Sequence, residues 1–204
     1  MPGRFIVFEG GEGAGKTTQQ RLLASRLRAL GRAVVETREP GGCLMAERIR
    51  SLLVSGQPGE LDGRTELFLL LAARVEHVRS VIGPALAQGV WVLCDRFGLS
   101  TLAYQGFGRG LPVAQLEGMH RLAVDGLVPD RVVVLDIDPE VGLRRVVERG
   151  QVVGRFEQES LSFHQRVRQG FVHLAAADPA RIRVVDADQN IQAVADAVWL
   201  GVMG

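Results

Sequence analysis

The stretch Phe5–Thr18, FIVFEGGEGAGKTT, constrains this chain more than any other. Phe5 to Phe8 are four bulky, β-prone apolar residues in a row, which predicts a short buried strand. Gly10, Gly11, Glu12, Gly13, Ala14, Gly15, Lys16 and Thr17 then fit G-x-x-x-x-G-K-[ST], the P-loop pattern. Thr17 to Leu30 reads as a helix, with Leu22, Leu23, Leu27 and Leu30 near helical spacing. Without Cβ atoms in the way, the glycines let the backbone curl so that its N–H groups converge on an anion. The helix N-terminus adds roughly half a positive charge. Lys16 can reach outer phosphates, and the Thr17 hydroxyl can ligate Mg²⁺. The bland alternative is a glycine-rich turn, but a strand before it and a helix after it are the context a phosphate cage needs.

Composition sharpens the point. Among 24 basic residues, Lys16 is the only lysine. A compact ammonium fits between phosphate oxygens where a planar guanidinium does not. The single lysine stands where an arginine would fail.

With 204 residues and a net charge of +1, the chain is long enough for a good core, and one domain over residues 1–204 is expected. Near-neutral charge gives no sign of a nucleic-acid surface or a membrane patch. Cys43 and Cys94 have no metal spacing, so a reduced, cytoplasmic protein is expected. The first apolar run is too short for a signal peptide, and no stretch is long and apolar enough to span a bilayer.

Four further strands follow: Ala33–Glu36, Val90–Cys94, Arg131–Asp136 and Ile182–Val185. Helices are predicted over Met45–Leu53, Thr65–Ala87, Pro112–Val124, Val141–Arg149, Glu157–Ala177 and Ile191–Val202. Ile49, Leu52 and Leu53 are expected to face inward. Leu67–Leu71 is apolar all round, so that part of its helix is expected to be buried on most sides. Gly106, Gly108 and Gly110 predict a loop. The alternation of strands and helices implies an α/β fold with a five-stranded, mostly parallel sheet and helices on both faces.

Candidate functional groups cluster at strand ends, where open α/β sheets bind ligands. Arg38 and Glu39 follow the second strand, and Pro40, Gly41 and Gly42 turn the chain there. Asp95 and Arg96 follow the third; a carboxylate at that place suits a metal site. Ser100, Thr101, Tyr104 and Gln105 offer hydrogen-bonding groups. Arg74, one turn after Leu70, is either a ligand contact or a structural ion pair with Glu66 or another carboxylate. Arg149 to Arg155, with two glycines between arginines, reads as a short lid over about 149–156. His77, His120, His164 and His173 share no spacing and are read as surface or internally satisfied.

Three classes carry a P-loop on such a scaffold: a GTPase switch, a motor-type ATPase and a small-molecule kinase. Asp95-Arg96-Phe97-Gly98 matches the D-x-x-G of GTPases, but their N-K-x-D needs a second lysine. No partner-coupling segment suggests a motor. Phosphoryl transfer between small molecules needs a phosphate cage, a metal, several cations and a lid that expels water. Lys16, Arg38, Arg96, Arg149 and Arg155 supply the cations.

The chain resembles the bacterial thymidylate kinases. The resemblance rests on FIVFEGGEGAGKTT, TREPGG at Thr37–Gly42, AAR at Ala72–Arg74, DRFGLSTLAYQG at Asp95–Gly106 and RFEQES at Arg155–Ser160. It implies a P-loop NTPase fold, transfer from ATP with Mg²⁺ to dTMP, and a homodimer. It further implies that Gly10–Thr17 hold ATP phosphates, with Thr17 and Asp95 at the metal and Glu12 toward the deoxyribose 3′-hydroxyl. Arg38 and Arg96 would clamp the dTMP phosphate. Arg74 would bond the thymine carbonyl, and Ser100 and Gln105 would line the base pocket. Tyr104 would crowd the ribose 2′ position. Arg149 and Arg155 would close over the transferring phosphoryl group, and Asp186–Gln189 would border adenine. Two positions depart from the family. Leu70 stands where a phenylalanine usually stacks on thymine, a contact worth about 1 kcal/mol beyond burial. Either Phe68 or another ring supplies that face, or base affinity falls. Gly154 stands where relatives often carry aspartate. A kinase for dUMP and a non-catalytic nucleotide-binding switch are the alternative readings.

Overall fold

The computed structural model describes residues 3–150 and 154–204. The elements run β1 (Phe5–Gly10), α1 (Lys16–Ala29), β2 (Val34–Arg38), α2 (Leu44–Val54), α3 (Gly63–His77), α4 (Gly83–Ala87), β3 (Trp91–Asp95), α5 (Gly98–Thr101), α6 (Val113–Ala123), β4 (Arg131–Asp136), α7 (Pro139–Glu148), α8 (Leu161–Ala177), β5 (Ile182–Asp186) and α9 (Ile191–Met203). The strands form one sheet in the order β2-β3-β1-β4-β5, and every pairing is parallel.

The central strand β1 is buried along its whole length, as a strand covered by helices on both faces must be. Alternation splits its side chains between two cores. Phe5 and Val7 pack with Val92, Phe97, Tyr104, Phe163 and Phe171. Ile6 and Phe8 pack on the other face with Leu23, Leu27, Leu93, Leu135 and Val198. The C-terminal ends of β1, β2 and β3 thus meet at one edge, with α1 starting beside them.

Four local expectations need correction. The predicted helix over Thr65–Ala87 starts at Gly63, where the Asp62 side chain accepts from the Arg64 amide, and passes through a π turn at Val78–Ile82. Its middle is not buried on most sides. Leu67 and Leu71 are buried, but Phe68 is 59% and Val75 41% exposed, and in α2 Leu52 faces solvent rather than inward. Of the glycine run after Tyr104 only Gly110 lies in a loop, with φ 82°; Gly106 and Gly108 belong to a π-helical segment that continues from Leu102 to Gly108. A Cβ on Gly108 would lie 2.6 Å from the Phe163 ring, and one on Gly170 would lie 2.7 Å from Phe107. These glycines let that segment and α8 approach closely, so they serve packing rather than chain reversal. Finally, α8 starts at Leu161 rather than Glu157. Ser160 caps it by accepting from the Phe163 amide, and hydroxyl residues are favoured at that position.

Candidate active site

The turn after β1 has the geometry its glycines require. Gly10, Gly13 and Gly15 all have positive φ. A Cβ on Gly13 would sit 2.0 Å from the Gly142 carbonyl oxygen, so α7 packs hard against the turn and holds its shape. Lys16 is buried, and its Nζ donates to the carbonyls of Gly10 (3.1 Å) and Gly11 (2.7 Å). Its ammonium is thereby folded over the loop. Burial, and Arg96 next, push its pKa down. Beside it, the Thr17 hydroxyl donates to Asp95 Oδ2 at 2.7 Å. A hydroxyl and a carboxylate side by side are hard oxygen donors of the kind Mg²⁺ takes alongside phosphate oxygens and water, so this pair fits the expected metal.

Arg96 is the other organising cation. It holds φ 72°, a conformation that costs a non-glycine residue about 1–3 kcal/mol and clusters at functional sites. Its amide donates to the Phe8 carbonyl at 2.8 Å. Its guanidinium donates to the Gly10 carbonyl (3.0 Å), Ser100 Oγ (3.2 Å) and Glu12 Oε1 (2.8 Å), and lies 4.9 Å from the centre of the Tyr104 ring. The Tyr104 hydroxyl donates to the same Glu12 oxygen at 2.8 Å. Burial would raise the Glu12 pKa, but Arg96, Lys16 and Tyr104 outweigh it and hold the carboxyl at about 2. Glu12 is therefore ionised throughout the neutral range.

A cavity of about 350 Å³ opens beside this cluster. Glu12, Leu70, Arg74, Arg96, Ser100, Tyr104 and Gln105 all line it, so seven of the sequence-predicted residues converge on one space. Arg38 is not among the lining residues; it donates to both carboxylate oxygens of Glu47 at 3.0 Å. Arg50, which the sequence reading did not single out, lines the cavity. Burial, then repulsion from Arg38, lowers its pKa, and Arg96 adds to that repulsion. Three cations crowded together are a site that gains stability from an anionic phosphate.

Arg74 forms the structural ion pair of its two alternatives, and it also lines the cavity. It is buried, its Nε donates to Glu39 Oε2 at 2.6 Å, and its Nη atoms donate to Thr101 Oγ1 (2.9 Å) and the Phe97 carbonyl (3.0 Å). The structural carboxylate is Glu39 rather than Glu66. Glu39 is in turn held by His77 Nδ1 at 2.9 Å, whose Nε2 meets Thr37 Oγ1 at 2.7 Å. His77 is thus internally satisfied, in a chain that ends at the cavity wall.

The sequence reading missed Glu9 and the place of Phe156 in the cavity wall. Glu9 accepts from the amides of Phe97 and Ser100, and burial pushes its pKa up to about 7 against the opposing pull of Ser100 and Arg96. The available signal was a carboxylate inside a fully buried strand. Phe68 is exposed and does not line the cavity, whereas Phe156 and Leu70 both do. Phe156 packs edge-on against Tyr104 at 5.9 Å, and the Arg155 guanidinium lies 4.6 Å from its ring centre.

The cations expected at the lid separate. Arg149 is exposed at the end of α7. Gln151, Val152 and Val153 of the expected lid lie outside the described residues. Arg155 does not reach the phosphate cage: it is buried, paired with Glu66 at 2.7 Å, with its Nε donating to the Leu53 carbonyl at 2.9 Å. Between β5 and α9, Asp186 accepts from the Asp188 amide and the Gln189 side chain, and Arg145 bonds Asp188.

Residues 8–198 match the family model described as thymidylate kinase. The chain is 55% identical to a thymidylate kinase of Magnetococcus marinus, covering all of this chain and 97% of that one. It is 51% identical to a thymidylate kinase of Solidesulfovibrio magneticus, covering 98% of each. Its fold superimposes on the crystal structure of thymidylate kinase from Ehrlichia chaffeensis with a TM-score of 0.79 and 34% identity, over 98% of this chain and 99% of that one. A family match over residues 8–198 and relatives about half identical along the whole chain show that it belongs to the thymidylate kinase family.

Proposed function

We propose that this enzyme transfers the γ-phosphoryl group of ATP to the 5′-phosphate of dTMP, giving dTDP and ADP. The observation that carries the reading is the junction of two anion sites across Glu12 and Arg96: the Gly10–Thr17 cage on one side, the cavity on the other. The acceptor is already an anion, so alignment and charge neutralisation are the main tasks and no strong general base is required. Lys16 holds the outer phosphates of ATP, and Thr17 and Asp95 would hold the Mg²⁺, which would supply charge neutralisation there. Arg96, with Arg38 and Arg50, holds the dTMP phosphate in line. Glu12, fixed between Arg96 and Tyr104, accepts from the 3′-hydroxyl. Arg74 donates to the thymine carbonyl, Ser100 and Gln105 lie beside the base, and Leu70 and Phe156 cover its faces. Asp186–Gln189 borders adenine. We assign the cation over the transferring group to Arg149 and give Arg155 an anchoring role. These parts work as one catalytic domain in the cytoplasm.

A coupled assay of ADP release with dTMP, dUMP, dCMP, dAMP and dGMP tests the reading. Turnover dependent on dTMP is expected; slow hydrolysis independent of any acceptor would point to a switch, and equal rates with dUMP to a broader pyrimidine kinase.

Tyr104 stands over Glu12, close to where a ribose would lie. Replacing Tyr104 by alanine is expected to reduce the preference for dTMP over its ribonucleotide counterpart by about tenfold, the scale of one lost steric discrimination. The ratio of kcat/KM values measures it, and an unchanged ratio would remove that role from Tyr104.

A homodimer accounts for the apolar residues left outside. Met45 and Leu52 on α2 and Phe68 and Val75 on the adjoining α3 are all exposed, and a patch of that kind marks an interface. Light scattering after gel filtration is expected to give twice the mass of the chain, and Phe68→Arg to give one chain. A wild-type monomer would end this proposal.

A further inference from the structure

Glu66 sits at the first turn of α3, away from the phosphate cage, and is fully buried. Its carboxylate accepts from Gln105 Nε2 (2.8 Å, on Oε1), from Arg109 Nε (3.3 Å) and Nη2 (3.1 Å), and pairs with Arg155 (2.7 Å). Burial alone would raise its pKa; Arg109 first, then Gln105 and Arg155, reverse that and hold it below the ordinary carboxylate value. Glu66 is therefore ionised, and an ionised carboxylate only accepts hydrogen bonds. The amide of Gln105 can present only its NH₂ to such a partner. Its carbonyl oxygen, Oε1, is left as a buried acceptor with no hydrogen-bond partner among the described residues. Gln105 is 1% exposed and lines the cavity, next to Arg74, which can only donate.

We infer that Glu66 is a positioning residue that sets the hydrogen-bond polarity of the base pocket, by locking Gln105 with its carbonyl free for the base. The inference rests on the proposed reading that this cavity takes dTMP. A wall with one donor, Arg74, and one acceptor, Gln105, matches a pyrimidine edge with a carbonyl at C4 and a proton on N3. Cytosine presents the opposite pair, an exocyclic amine and a bare N3. Both mismatches then leave a buried polar group unpaired, and such mismatches are where binding sites discriminate most strongly. The same carboxylate ties down Arg155, so the pocket wall and the start of the segment before α8 share one anchor.

The test compares kcat/KM for dTMP and dCMP in the full-length enzyme, with folding followed by thermal melting. In Glu66→Gln, the new amide keeps its oxygen toward the arginines and turns its NH₂ toward Gln105, which flips. The dTMP-to-dCMP ratio is expected to fall about 10- to 100-fold, the range for one mispaired buried hydrogen bond, mainly through KM. The exchanged pair, Glu66→Gln with Gln105→Glu, returns an acceptor to the cavity and is expected to recover most of the ratio. A purely structural role for Glu66 would not predict that recovery. A folded Glu66→Gln enzyme with an unchanged ratio, or a folded exchanged pair without recovery, would overturn the inference. Should neither variant fold, the wild-type enzyme decides: dTMP methylated at N3 is expected to be at least about tenfold poorer than dTMP, and equal use of the two would overturn the inference. If the wild-type enzyme does not phosphorylate dTMP, the proposed function fails instead, and the two failures are distinct.

Discussion

Replacing Lys16 by alanine lowers kcat by about 10³-fold, the scale for removing one preorganised charge from a phosphoryl-transfer site. The fold survives the change, because among the described residues the Lys16 ammonium bonds only to the carbonyls of Gly10 and Gly11, and these belong to a turn shaped by its glycines and by contact with Gly142. Arginine in its place does not restore activity, since a guanidinium is too broad and flat for the cage. Steady-state kinetics with a thermal melt as control checks this. Wild-type turnover in the alanine variant would refute the assignment of the phosphate site.

Replacing Arg155 by alanine removes about 3 kcal/mol of stability, because it strips a partner from a fully buried carboxylate. For a chain of this length that lowers the melting temperature by about 6–12 °C. Arg109 still bonds Glu66, which keeps the loss at the lower end of what an unpaired buried charge costs. Urea melts and calorimetry measure it. A variant that melts within about 1 °C of wild type but loses turnover would return Arg155 to the phosphoryl group, the role its sequence position suggested.

Arg155 also shows where sequence reading stops. Its neighbours in the chain are glycines and another arginine, which is the composition of a lid. Its actual partner, Glu66, comes from a helix far upstream, and no local pattern connects the two. The Glu39–His77–Thr37 chain behind Arg74 is hidden for the same reason: it joins the end of β2 to α3 across the fold. Gly106 and Gly108 misled because the signal for a turn and the signal for close helix packing are the same residue; Phe163, which explains Gly108, lies on α8. Leu67–Leu71 misled because an unbroken apolar run hides which of its residues face outward, and Phe68 does. What was legible was local. The P-loop cage, the Thr17–Asp95 pair and a mostly parallel sheet are set by residues at or beside strand ends, where the sheet brings them together, while Leu70 and Arg74 reach the cavity from α3.

A crystal of the enzyme with dTMP, Mg²⁺ and a non-hydrolysable ATP analogue tests the central claim most directly. The account predicts the analogue's outer phosphates at the Gly10–Thr17 amides and Lys16, the metal at Thr17 and Asp95, and dTMP in the neighbouring cavity with its phosphate on Arg96. Nucleotide bound elsewhere, or a cage that takes neither phosphate nor metal at saturating concentrations, would contradict it.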